Sequence, residues 1–339
     1  MRTRIPYTLA LLLTLLVFSC QPNKETQVSI EPLASWNDVA SKQAIISYVE
    51  EVTKPESENF IPRQDRIATF DNDGTLWSEQ PLYFQLFFIL DRVKAQAADH
   101  PEWSTEEPFA SILKGDVEGA LSQGDAALIK LATSVDTDIS IEKFYAIVTT
   151  WMKNSNHPRF NKPFNELVYQ PMLELIDYLK ANDFTVFIVS GGGLDFMRPW
   201  APATYGIPTH QIVGTRLKNH FSEENGTFEV IRDAGVAFID DKEGKPIGIM
   251  THIGKRPVFA AGNSDGDLKM MQFTDGNSYK SFQLYVHHTD AEREWAYDKD
   301  SPIGRLDKGL EEAQQKGWTV VDMKKDWKVI FPFEMKNDE

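Results

Sequence analysis

Cysteine is nearly absent from this chain. Cys20 is the single one among 339 residues, so neither an intramolecular disulfide nor a Cys-x-x-Cys metal motif can form. Basic residues are also scarce: 35 Lys and Arg stand against 50 Asp and Glu, a net charge of −15. General nucleic-acid binders are basic, so nucleic acid is excluded as an expected partner. The sequence has no internal repeat and no low-complexity block. It also lacks an apolar run of the roughly 20 residues that a membrane span needs. What is present is a globular composition, 42% hydrophobic and 25% charged, in a length that suits one large domain or two.

The longest apolar run, residues 5–18, follows Arg2 and Arg4 and ends at Ser19-Cys20. A short apolar segment behind a basic start reads as a secretory signal, with residues 1–19 removed. Val17-Phe18-Ser19-Cys20 looks like a lipobox, which makes Cys20 the expected lipidation site; the alternative is an ordinary signal whose cysteine is incidental. The expected location is the bacterial cell envelope, on the periplasmic or outer-membrane face, held by the N-terminal lipid anchor alone. Residues 20–35, polar and with two prolines, read as a tether.

Beyond the tether, strand and helix patterns alternate. Residues 36–52 carry apolar positions near helical spacing. Residues 66–70 form a short apolar run that stops at Asp71, and residues 184–189 a β-branched run that stops at Ser190 and three glycines. Further strand patterns lie at 211–216, 227–232, 258–261 and 284–287, the last clear core strand. Helical patterns fill 82–98, 109–121, 126–132, 141–152 and 172–181. This alternation predicts an α/β fold with a doubly wound parallel sheet, whose ligands gather at the carboxyl ends of the strands. Three strands end there in polar or Gly-rich turns, at Asp71, Ser190 and Gly262.

The strongest chemical signal is Asp71-Asn72-Asp73-Gly74-Thr75, directly after a strand. Two carboxylates on one tight loop need a cation, or one must keep a proton, and unequal environments can divide their roles. Here the sequence resembles the haloacid dehalogenase superfamily in its phosphatase branch, across about residues 66–288. Its first motif is similar to 71–75, its second to Ser190, and its fourth to Gly262-Asn263-Ser264-Asp265-Gly266-Asp267. The string from Ile253-Gly254-Lys255-Arg256-Pro257 through Asp267 also resembles a secreted subgroup of its phosphatases.

The resemblance implies a Rossmann-like sheet core with an inserted α-helical C1-type cap, as in phosphoserine and phosphorylcholine phosphatases. The core would be residues 36–77 with 183–339, and the cap 78–182. It implies Asp71 as nucleophile, Asp73 as acid and base, and Ser190 as a phosphoryl ligand. The motif III lysine is Lys245 or Lys255. It implies Mg²⁺ on Asp71, the Asp73 carbonyl, Asn263 and Asp267. Asn263 stands where the family more often has Asp, so the contributions of Asn263, Asp265 and Asp267 stay open. Thr75, Gly191, Trp77 and Tyr83 are the expected substrate contacts, with Glu79 and Gln85 nearby; for Trp77, Glu79, Tyr83 and Gln85 the alternative is packing within the cap. The implied activity is hydrolysis of a small-molecule phosphate monoester through an aspartyl-phosphate. The alternatives are a phosphomutase or phosphotransferase, and a non-enzymatic binding lipoprotein with the retained fold. His287 and His288 read as surface or packing residues, and Trp295, Trp318 and Trp327 as packing.

Overall fold

Apolar runs too short for helices become the centre of one eight-stranded sheet. The computed structural model describes residues 32–337, so the expected signal and Cys20 lie outside the described residues. The elements are, in chain order, α1 (Ala40–Thr53), β1 (Ile67–Phe70), α2 (Phe84–Gln96), α3 (Phe109–Leu113), α4 (Val117–Leu121), α5 (Asp125–Ala132), β2 (Ile139–Ser140), α6 (Ile141–Asn154), α7 (Gln170–Ala181), β3 (Thr185–Gly193), α8 (Leu194–Met197), α9 (Ala201–Tyr205), β4 (Ile212–Glu224), β5 (Thr227–Phe238), α10 (Gly244–His252), β6 (Phe259–Gly262), α11 (Leu268–Asp275), β7 (Phe282–His287), α12 (Lys308–Lys316), β8 (Thr319–Asp322) and α13 (Met323–Asp326). The strand order is β2-β5-β4-β3-β1-β6-β7-β8. Every pair from β4 to β8 is parallel, while β4–β5 and β5–β2 are antiparallel. β1 and β6 are buried at every residue, as a parallel sheet covered on both faces requires. The fold is the expected α/β class, with helices α2 to α6 inserted between β1 and β3.

Several elements differ from the sequence reading. The run at 109–121 is two helices, broken where Gly115 takes φ +83°. The strand patterns at 211–216 and 227–232 are parts of one long hairpin, β4–β5, closed at Asn225-Gly226. A further strand, β8, follows 284–287 and pairs with β7. The tether stops short of residue 35: Leu33 is buried, and Ser35 donates to Glu174 Oε1 at 2.6 Å.

The insertion is fastened to the sheet by strand pairing and by aromatic packing. β2 pairs with β5, Ile139 opposite Arg232. Aromatic rings of α2 and α6 meet α8: Phe88 lies 5.8 Å from Phe144 and 5.4 Å from Phe196. Burying each such ring contributes about 2–3 kcal/mol. α7 packs on β3 and serves as the crossover into it, although the sequence division assigns it to the cap. Among the described residues no helix is long and apolar enough to cross a membrane.

Candidate active site

The carboxyl ends of β3, β1 and β6 are neighbours, so their end loops converge. The Asp71 N–H extends the ladder by donating to the Ala261 carbonyl at 2.9 Å. The chain then folds into a tight loop, with Leu76 N–H on the Asn72 carbonyl at 2.8 Å and Gly74 N–H on the Trp77 carbonyl at 2.9 Å. Gly74 has φ +71°, and a Cβ there would lie 2.0 Å from Asn263 Nδ2 and 2.4 Å from Glu79 Oε1. Both backbone shape and space therefore demand glycine.

Of the two candidate lysines, Lys245, in the first turn of α10, is the one that lies beside Asp71. Its ammonium is fully buried, 2.6 Å from Asp71 Oδ1, 2.8 Å from Asp267 Oδ1, and donating to the Val189 carbonyl at 2.7 Å. Burial pulls its pKa down, but the charges of Asp267 and Asp71 outweigh that and raise it. Lys255 sits beyond the opposite end of β1, exposed, and pairs with Asp65 at 2.7 Å. Burial, then the Asp267 charge, push the Asp71 carboxyl well above the ordinary range, against the pull of Lys245.

Asp73 has different company. Its Oδ1 accepts the Trp77 indole N–H at 2.9 Å, and Ser190 also hydrogen-bonds the carboxyl. Burial pushes it up to about 6, with the Trp77 bond opposing. Ser190 is buried, and its Oγ accepts the Gly192 N–H at 3.0 Å. The strand reading ended at Val189, but β3 runs on to Gly193 across a bulge opposite Gly214 and Thr215. Gln85 of α2 accepts the Gly193 N–H at 2.7 Å, tying the insertion to this loop.

The fourth-motif residues separate by role. Asn263 receives Thr75 Oγ1 on its amide oxygen at 3.2 Å and donates to Glu79 Oε1 at 2.7 Å. Asp267 Oδ2 accepts the Asn263 and Ser264 N–H groups, each at 3.0 Å, and Oδ1 faces Lys245. These contacts let Asp267 brace both the loop and the lysine. Asp265 turns away, accepting the Asp307 and Gly309 N–H groups at the start of α12.

The expected substrate contacts also divide. Trp77 is 1% exposed, its ring stacked 4.2 Å from Trp200, so it reaches the site through Asp73 and not as a pocket wall. Thr75 is buried and spent on Asn263. Tyr83, half-buried at the start of α2, hydrogen-bonds the Gly304 backbone and feels the charges of Glu79 and Asp73. Gly191 faces Asp241, its Cβ position 3.6 Å from the Asp241 Cβ.

The segment after β7 was not anticipated as part of the site. Tyr297 donates to Glu79 Oε1 at 2.8 Å, and Gly304 leaves the space that Glu79 occupies. Burial, chiefly, drives the Glu79 carboxyl well above its usual range. The local signal was the density of charged and aromatic residues in 287–298, directly after a core strand.

The donors present fit a hard divalent cation such as Mg²⁺. Asp71, the Asp73 carbonyl and the Asn263 amide oxygen are oxygen ligands, which Mg²⁺ supplements with waters. Around the loop, the carboxyl groups of Asp71, Asp73, Asp267 and Glu79 surround the buried ammonium of Lys245. Among the described residues no group of three or more His, Cys, Asp or Glu forms a closed metal cage.

Comparison with known proteins agrees with this architecture. The family model described as haloacid dehalogenase-like hydrolase matches residues 68–272. Against curated proteins the chain finds no match. Among solved structures it is similar to a protein with unknown function from Bordetella pertussis Tohama I: 16% identity, 76% of this chain and 98% of that one, TM-score 0.47. It is also similar to a phosphoserine phosphohydrolase-like protein from Francisella tularensis subsp. tularensis SCHU S4, with 18% identity, 65% and 87% coverage and TM-score 0.35. A phosphoserine phosphatase from T. onnurineus aligns at 18% identity, 76% and 96% coverage and TM-score 0.33. These structural likenesses are distant, and the functional reading below stands on the residues. Since the family model covers more than half of the chain and its strand-end residues converge, the protein belongs to the haloacid dehalogenase-like hydrolase family.

Proposed function

We propose that this hydrolase is a phosphatase that cleaves a small-molecule phosphate monoester through an aspartyl-phosphate. One observation carries the reading: Asp71 and Asp73 share a loop but not an environment. Asp71 is ion-paired with Lys245, whereas Asp73 is bonded to neutral donors, the Trp77 indole and Ser190. That difference suits one carboxylate for attack and the other for proton transfer.

In this reading the Asp71 carboxylate attacks phosphorus as the bond to the leaving oxygen breaks. Asp73 gives that oxygen its proton. Ser190 and Gly191 hold phosphoryl oxygens. Asp73 then takes a proton from water, which attacks phosphorus, releases phosphate and restores Asp71. Lys245 neutralises Asp71 and keeps it aligned. Asp71, the Asp73 carbonyl and Asn263 would hold Mg²⁺, which supplies charge neutralisation between the nucleophile and an anionic substrate. The helical insertion, joined to the site through Gln85 and Tyr83, supports a small substrate. We also propose export with a lipid on Cys20; radiolabelled palmitate entering the wild type but not Cys20→Ser checks it.

The test is hydrolysis of para-nitrophenyl phosphate by the full chain, with and without Mg²⁺, beside Asp71→Asn. Mg²⁺-dependent turnover that disappears in the variant supports the reading. Full activity in Asp71→Asn contradicts it. Mg²⁺-linked stabilisation with no turnover of any phosphate ester would favour the binding-protein alternative.

A further inference from the structure

His288 was expected to be a surface or packing residue, yet its side chain is only 1% exposed and sits behind the catalytic loop. Its Nε2 lies 2.7 Å from the Gly74 carbonyl oxygen, and its Nδ1 lies 3.2 Å from Glu294 Oε2. A carbonyl oxygen has no hydrogen to give, so Nε2 is the donor in that bond. Glu294, fully buried, already accepts the Trp295 N–H on Oε2 at 2.6 Å. Its Oε1 accepts the Ser78 hydroxyl at 2.7 Å and the Tyr169 hydroxyl at 3.0 Å. With three donors aimed at it, this carboxylate acts as an acceptor toward Nδ1 as well. The ring thus spans the two groups, Nε2 aimed at the Gly74 carbonyl and Nδ1 at the Glu294 carboxylate.

The groups around the ring hold it in that position. Tyr297 stacks on it at 4.3 Å and 19° and donates to Glu79, while Tyr169 closes the far side of Glu294. The neighbouring His287 points elsewhere, 3.9 Å from Asp298. A pairing with a buried carboxylate is a poor way to gain stability, since desolvation offsets much of its attraction. This one is aimed at a single atom, the carbonyl of the residue that follows Asp73. The N–H of Gly74 is already fixed by the Trp77 carbonyl, so His288 fixes the other side of that residue. Between them, the two bonds set the peptide planes flanking Gly74, whose φ is +71°.

We propose that His288 is a positioning residue of the catalytic loop: paired with Glu294, it clamps the Gly74 carbonyl and thereby sets where Asp73 points. The role rests on the phosphatase reading for its kinetic consequence, but the clamp itself is measurable without any turnover.

The experiment takes the full chain labelled with ¹⁵N-histidine and reads the ring nitrogens by NMR, with His288→Gln identifying the signals. Hydrogen on both nitrogens of His288 at neutral pH is expected. One unprotonated nitrogen overturns the clamp, whatever the enzyme's activity. Kinetics on para-nitrophenyl phosphate form the second arm. His288→Gln should lower kcat about 10- to 100-fold with KM nearly unchanged, because a misdirected acid slows chemistry more than binding. His287→Gln should change neither by more than about twofold, since that ring faces away from the loop. Equal kcat in wild type and His288→Gln overturns the positioning role. Should His288→Gln not fold, Glu294→Gln carries the same test, with loss of one ring hydrogen and a fall in kcat expected. An unchanged spectrum and rate in that variant overturn the proposal.

Discussion

The two ends of β1 each present a lysine–aspartate pair of nearly equal length. At the carboxyl end Lys245 meets Asp71 at 2.6 Å, with the side chains 2% and 9% exposed. At the amino end Lys255 meets Asp65 at 2.7 Å, with the side chains 45% and 26% exposed. Distance does not distinguish them, but surroundings do. Around Lys255 water screens the charges, and such a pair contributes only about 0.2–1 kcal/mol. Around Lys245 the fold has gathered Asp71 and Asp267 and removed the water, so each charge depends on the others. A parallel sheet explains the asymmetry. Strand ends at one edge converge from β3, β1 and β6, and that edge collects the buried polar groups.

Three substitutions sharpen this contrast, from the largest effect to the smallest. Lys245→Met leaves Asp71 and Asp267 buried without their cation. It should lower kcat by at least about 1000-fold and cost about 3–5 kcal/mol, read by kinetics and urea unfolding. Asp240 lies between these extremes. It is fully buried, neither side-chain oxygen has a hydrogen-bond partner, and burial pushes its carboxyl up to about 7. A raised folded pKa means that the native state keeps a proton that the unfolded chain has lost. Stability from this group therefore falls as pH rises from about 4 to about 7 and levels off above. Asp240→Asn should flatten that decline and raise stability at pH 8 by about 2–4 kcal/mol, measured by unfolding across pH. Lys255→Ala should cost under about 1 kcal/mol and leave kcat unchanged. A large effect there would mean that burial is not what separates the two pairs.

The same contrast marks what the sequence made legible. Asp71, Ser190 and Asn263 were found because each follows an apolar strand, and strand order in a parallel sheet brings such ends together. Lys245 stood out by its place at a helix start, but only its burial against Asp71 separates it from Lys255. The β4–β5 hairpin carried a local signal in Asn225-Gly226, which the expectation of a wholly parallel sheet passed over. Other features have no local signature. Glu79 meets Tyr297 across 218 positions of sequence, and His288 meets Gly74 across 214, so only tertiary packing reveals them. Trp77 falls to the packing alternative: its ring is buried in the core, and from there its indole N–H serves Asp73.

The central claim is that Asp71 becomes covalently phosphorylated. The direct measurement is acid quench of the full chain during turnover of a phosphate ester, followed by peptide mass spectrometry. The account predicts one phosphoryl group on the peptide containing Asp71, lost on alkaline hydroxylamine treatment and absent in Asp71→Asn. Turnover with an unmodified Asp71 peptide at every quench time, or a phosphoryl group on another residue, would contradict it.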